Sequence, residues 1–237
     1  MSEWFTGLSQ DFQQTFIDAN RWRALLSGLG ITLKITALSL LVGIALGILV
    51  AVIRSTHDQM TAQGNKNGLL SFGNFLCQIY LAVIRGTPVM VQLLIMYFVI
   101  LVSSTNTTLV ATLTFGINSG AYVAEIIRSG IMSIDKGQME AGRSLGISYV
   151  KTMRLVIIPQ AIKNILPALG NEFIALLKET SIVNVIGMKD ITKWALNVQG
   201  RTYQAFMPFI GIAVIYFLMV MIFTKLVSIL ERKLNNG

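Results

Sequence analysis

Charge is scarce in this chain. Asp, Glu, Lys and Arg make up 13% of its residues, while 54% are hydrophobic; a typical soluble domain is about one-quarter charged. So little charge cannot cover a globular surface, and lipid is the expected solvent for much of the exterior. Cysteine is almost absent. Cys77 alone allows no intramolecular disulfide, and there is no CxxC motif. His57 is the only histidine, so a zinc or haem site has almost nothing to be built from. One loop histidine also supplies neither a Ser–His pair nor an H-E-x-x-H site, which argues against a membrane-embedded enzyme. No G-x-x-x-x-G-K-[ST] motif occurs, so any ATP chemistry must come from another subunit. Internal repeats and low-complexity segments are not evident.

What is present are long apolar blocks. The expected spans are residues 28–53, 69–101, 109–127, 162–186 and 205–227, each long enough at about 20 residues per crossing. This makes the chain an all-α integral membrane protein with five transmembrane helices. The second block is interrupted at Arg85-Gly86-Thr87-Pro88. It reads as one helix with a cytoplasmic extension and a disturbed segment, because Pro removes an intrahelical hydrogen bond.

Residues 1–27 carry Glu3, Asp11 and Asp18 ahead of the first apolar run, where a signal peptide would put positive charge. Phe5, Leu8, Phe12 and Phe16 recur at helical spacing, the pattern of an amphipathic helix at a membrane surface. Lys and Arg number ten in the flanks 54–68, 128–161 and 225–237, against five in 1–27, 102–108 and 187–204. The positive-inside rule makes the richer side cytoplasmic. The N-terminus is then outside, and residues 228–237 form a cytoplasmic tail. The formal net charge of +8 reads as topology signal and headgroup contact.

The longest polar connection, 128–161, lies on the cytoplasmic side in this reading. Asp135 followed by Gln138 has the spacing of a capping box. Helix formers run to Leu145, and Gly146 stands where a left-handed cap would end the helix. A second amphipathic run, Tyr149 to Ile157, is expected to close at Pro159. A helix, a sharp turn and another helix between two spans suit docking to a soluble partner.

Ionisable groups inside the apolar blocks are functional candidates by default. Arg85 offers paired donors to a carboxylate, and loosened backbone at Gly86 and Thr87 adds N–H groups. Glu125 either accepts an amino group or pairs with Arg128, one helical turn on. Glu172, Lys178 and Glu179 read as structural pairs, across a turn or with a neighbouring subunit. Asn118, Ser119 and Gly120 supply small polar surface where backbones approach closely.

Several motifs in order resemble a known family. Glu140-Ala141-Gly142, then Ser144, Leu145 and Gly146, then Pro159, resemble the cytoplasmic EAA loop of bacterial ABC-importer permeases, with Gly142 in place of its second alanine. Arg85-Gly86-Thr87-Pro88 followed by Gln92, Asn118 through Glu125, Leu166 through Phe173, and Lys178 through Ser181 resemble the polar amino-acid branch, which serves histidine, arginine and glutamine. The resemblance covers roughly residues 28–225. It implies a type I importer permease in a bacterial inner membrane, paired with a second permease copy or paralogue. It also implies cytoplasmic ATPase subunits and an extracytoplasmic amino-acid-binding protein. Substrate contact is then expected at Arg85, Gly86, Thr87, Gln92, Asn118, Ser119, Gly120 and Glu125. ATPase coupling is expected at 135–159, through Glu140, Ala141, Gly142, Ser144, Leu145, Gly146 and Pro159. This chain would bind no cofactor itself, ATP–Mg²⁺ residing on the partner. The alternative is an ion-coupled secondary amino-acid transporter, for which broken helices fit but inverted repeats are lacking.

Overall fold

The computed structural model describes residues 7, 9–62, 64–65 and 67–235. Its longest element is helix α1 (Arg21–Ala62). At 1.5 Å per residue its 42 residues reach roughly 63 Å, about twice the thickness of a bilayer's hydrocarbon core. Helices α2 (Gly68–Gly86), α3 (Val89–Ile95) and α4 (Thr107–Met132) follow. The polar connection folds as α5 (Lys136–Ser144) and α6 (Tyr149–Thr152). Helix α7 (Ile158–Glu179) ends in a 3₁₀ turn, Thr180–Ile186. Helices α8 (Ile191–Thr202) and α9 (Phe206–Asn235) complete the chain. Four helical stretches are long and apolar enough to cross a membrane: Ser9–Thr61, Gly68–Gly86, Thr107–Met132 and Phe206–Leu234. Helix α7 is of comparable length but carries Lys163, Glu172, Lys178 and Glu179.

The bundle is built on α1 against α4, its most extensive helix pair. Small residues set that contact. A Cβ on Gly43 would lie 2.9 Å from the Ser119 side chain, and one on Gly116 would lie 2.6 Å from Val42. Without side chains there, the two backbones come close enough for dispersion and polar contacts to hold them, the main adhesive between helices in lipid. Buried hydroxyls of α1 bond to backbone carbonyls along the seam, while Thr112 Oγ1 is buried there without a partner. Thr36 Oγ1 donates to the Thr32 carbonyl at 2.8 Å, and Ser39 Oγ to that of Thr112 at 3.3 Å. Ile35, Leu93, Phe115, Leu176 and Val183 form a fully buried core where α1, α3, α4, α7 and the 3₁₀ turn meet.

Helix α8 lies against α1 and α9 at the end of the bundle where α1 begins. Asp190 caps it, accepting from the Thr192 and Lys193 amides at 3.0 Å each. Trp194 Nε1 donates to the Arg21 carbonyl at 2.9 Å. The N-terminal segment was expected at the membrane surface. Phe5 and Leu8 lie outside the described residues. Phe16 stacks on Trp194 with ring centroids 5.5 Å apart, and Thr15 is buried. The segment therefore packs on α8 and α9, because Trp194 and the glycine at 211 offer it an apolar seat.

Candidate functional site

The second apolar block is not one disturbed helix. It is two helices, α2 and α3, joined through extended backbone at Thr87 and Pro88. Pro88 cannot donate, so the helical ladder stops, and the last carbonyls of α2 need other partners. Thr87 Oγ1 donates to the Val83 carbonyl at 2.8 Å. Gln92 Nε2 donates to the Ile84 carbonyl at 2.8 Å and to that of Thr87 at 3.1 Å. Asn118 Nδ2 in turn donates to Gln92 Oε1 at 3.0 Å. The break therefore sits beside the middle of α4, with the Val83, Ile84 and Thr87 carbonyls taken up by side chains of the protein itself, the kind of compensation that broken backbone at membrane depth calls for.

On one side of this break is an open cavity of about 590 Å³, lined by Arg54, Gln78, Leu81, Ala82, Arg85, Gly86, Tyr122 and Glu125. The Arg85 guanidinium carbon lies 5.6 Å from the centre of the Tyr122 ring, a cation–π contact. Among the described residues no carboxylate lies within 4.0 Å of Arg85. Glu125 is engaged. Its Oε1 accepts from Arg128 Nη2 at 2.5 Å and from Nε at 3.2 Å, and its Oε2 lies 3.7 Å from Arg54 Nη1. The cavity thus combines one guanidinium held only by an aromatic face with one carboxylate shared between two arginines. Its chemistry suits a ligand carrying a carboxylate.

Of the eight residues expected to contact substrate, the structure brings Arg85, Gly86 and Glu125 together here. Thr87 and Gln92 close the break and face a separate, mostly apolar pocket of about 310 Å³. Asn118, Ser119 and Gly120 are inside the bundle. Ser119 Oγ donates to Glu172 Oε1 at 2.7 Å, and a Cβ on Gly120 would meet the Tyr80 hydroxyl at 2.7 Å. Arg54, Gln78 and Tyr122 join the cavity without having been expected there. Gln78 was legible as a polar residue in an apolar block. Arg54 had been counted as a loop charge, although α1 carries it well within the helix.

The second candidate element is the connection between α4 and α7. Asp135 Oδ1 accepts from the Gly137 amide at 2.6 Å and starts α5. Gly146 takes φ +75°. The Ile147 amide donates to the Gly142 carbonyl at 3.0 Å, and the Gly146 amide to that of Arg143 at 2.9 Å. These are the two bonds of a Schellman cap. Glu140, Ala141, Ser144 and Leu145 are exposed, Leu145 at 79% and the neighbouring Val150 at 72%. Gly142 faces inward, where a Cβ would stand 2.6 Å from Thr152 Cγ2. The glycine that departs from the EAA pattern is thus matched by a buried threonine on α6. Pro159 does not close the second helix. The chain stays helical from Tyr149 to Glu179 through a π turn at Met153–Ile157. Pro159 falls in the first turn of α7, just after the turn has shifted the hydrogen-bond register, so its missing N–H is tolerated.

Residues 64–236 match the binding-protein-dependent transport system inner membrane component family. The chain belongs to that family. Among its relatives is the arginine transport system permease protein ArtQ of Bacillus subtilis (strain 168), 39% identical over 218 residues, which are 90% of this chain and 93% of that one. The glutamine transport system permease protein GlnP of Escherichia coli (strain K12) is 33% identical over 215 residues, covering 89% and 93%. A crystal structure of an amino acid ABC transporter with histidines superposes at TM-score 0.80 with 45% identity, over 89% of this chain and 94% of that one. The inward-facing MetNI methionine ABC transporter superposes at 0.75 over 92% and 99%, at 19% identity, a likeness of fold. This inner-membrane component has the type I importer permease fold and crosses the membrane several times.

Proposed function

We propose that this family member is the membrane-spanning permease of an ABC importer for a polar amino acid, working by alternating access. The observation that carries the reading is the cavity at the α2–α3 break, where Arg85 faces a free volume and Glu125 stands across it. Arg85 takes the substrate carboxylate through its planar fork. The arginine and glutamine named for the two permease relatives support a polar amino acid as the cargo. The permease crosses the membrane five times, through α1, the α2–α3 pair, α4, α7 and α9, with its N-terminus outside and its C-terminus cytoplasmic. It hydrolyses nothing itself. ATP–Mg²⁺ is held by a cytoplasmic ATPase seated on the α5–α6 connection, whose exposed Leu145 and Val150 suit an apolar docking groove. A second permease copy or paralogue and an extracytoplasmic binding protein complete the assembly. The ion-coupled alternative finds no support in the family or in the relatives described.

The test is transport by the reconstituted complex against a panel of amino acids, with and without ATP. Uptake of a polar amino acid that requires ATP and the binding protein is expected. Uptake driven by an ion gradient with no ATPase bound would overturn the reading.

A further inference from the structure

A second cavity, its inner surface mainly apolar but bordered by basic residues, lies at the end of the bundle remote from the α5–α6 connection, between the start of α1 and helix α8. It has a volume of about 150 Å³, and Arg21, Lys189, Arg201 and Asn197 stand around it over a floor that includes Trp194 and Val198. Three basic side chains therefore border one small space. Among the described residues none of them has a carboxylate within 4.0 Å. Arg21 is anchored from behind: its Nη1 donates to the Gln14 carbonyl and its own carbonyl accepts from Trp194. Its Nε is buried and has no partner. A buried donor left unmade is costly, and three cations held together repel unless an anion joins them.

We propose that this cavity binds the phosphodiester of an anionic phospholipid. A volume of about 150 Å³ admits a phosphate head. The surroundings fit a lipid at headgroup depth. Trp22 is exposed beside the site with Arg23 over its ring at 5.3 Å, and aromatic side chains of this kind gather at the membrane–water boundary. Leu26 on α1 and Leu196 on α8, the two helices that border the cavity, are exposed and offer the acyl chains apolar surface. A zwitterionic lipid would bring its own cation towards Lys189 and Arg201, so the charge arrangement selects an anionic head.

The experiment uses the full chain, purified in detergent within the complex it forms. Native mass spectrometry and thermal melting are read with added phosphatidylglycerol, phosphatidylcholine or inorganic phosphate. Phosphatidylglycerol should be retained and should raise the melting temperature, and phosphatidylcholine should do neither. The double variant Lys189→Gln/Arg201→Gln leaves the packed Arg21 in place. It should bind phosphatidylglycerol about 30-fold more weakly, from about 1 kcal/mol per basic group beside an anionic headgroup. Lys189→Arg/Arg201→Lys should restore retention. Equal retention by native and Gln variants overturns the proposal. Stabilisation by inorganic phosphate matching that by the lipid overturns the lipid assignment in favour of a free anion. Unchanged lipid binding with lost stimulation of ATP hydrolysis by the extracytoplasmic partner would instead make this surface a protein dock.

Discussion

Arg85 differs from the arginines near it, Arg54 and Arg128, in what holds it. Arg54 and Arg128 share Glu125, whereas Arg85 rests on the Tyr122 ring. That leaves its fork available to a ligand. Losing a charged hydrogen-bond pair costs about 1.5–3 kcal/mol, so Arg85→Ala should lower uptake about 10- to 100-fold with the ATPase still bound. Arg85→Lys keeps the charge but not the planar fork and should fall between. Wild-type uptake by Arg85→Ala would remove this residue from the pocket. Gly142 acts through packing. A Cβ there meets Thr152 Cγ2 and Oγ1 at 2.6 and 2.7 Å, and Thr152 is fully buried. Gly142→Ala should therefore destabilise the α5–α6 contact by about 1–3 kcal/mol, although alanine favours the helix. Thr152→Ala should relieve most of the cost, giving a favourable coupling in a double-mutant cycle of detergent melting temperatures. Additive effects would mean that the threonine is not the obstacle.

At the scale of elements, two interruptions organise the chain. The break between α2 and α3 places Arg85 beside the middle of α4, and Thr87 and Gln92 make that break affordable in lipid by taking up the freed carbonyls. The α5–α6 turn is held by the Schellman cap at Gly146, where φ is +75°. A Cβ there meets nothing within 4 Å, so the cost of substitution is conformational, about 1–2 kcal/mol. A motor can shift the spans only through contacts that differ between its states, and this turn orients the exposed face of α5. Gly146→Asp should abolish transport, and Glu140→Lys should impair it less, with membrane insertion unchanged. Gly146→Asn, which tolerates the left-handed region better, should keep more activity than Gly146→Val. Uptake measured with co-purification of the ATPase checks this. Normal assembly, hydrolysis and transport by the Asp and Lys variants would show that the connection is not the coupling element.

At the scale of the whole molecule, the asymmetry of Lys and Arg predicts the orientation. A reporter fused after Gly237 should be cytoplasmic, and one before Met1 extracytoplasmic. Both reporters on one side would require an even number of crossings, with α2 and α3 inserted separately. The two arginine-bordered cavities lie towards opposite ends of α1, the Arg54 cavity near its C-terminal part and the Arg21 cavity at its start. Their roles are therefore separable by mutation.

By itself the sequence determined much that is local, though not that the second block is two helices or that the chain stays helical through Pro159. Scarce charge and long apolar blocks specify membrane helices. Pro88 marks a disturbed segment, and Gly146 a left-handed cap, because backbone geometry at such positions depends on the residue itself. Only the tertiary structure decided which faces meet. Helix α1 carries Thr32, Thr36, Ser39, Gly43 and Gly47 at helical spacing along the side that packs, but in lipid such a stripe of small residues does not say which helix it meets. Hence the joining of Arg54, Gln78 and Tyr122 to Arg85, the bond from Ser119 to Glu172 and the fit of Gly142 to Thr152 could not be read from spacing. The burial of Asn118, Ser119 and Gly120 away from the cavity has the same cause: in an apolar solvent, rotation of each helix is set by its neighbours.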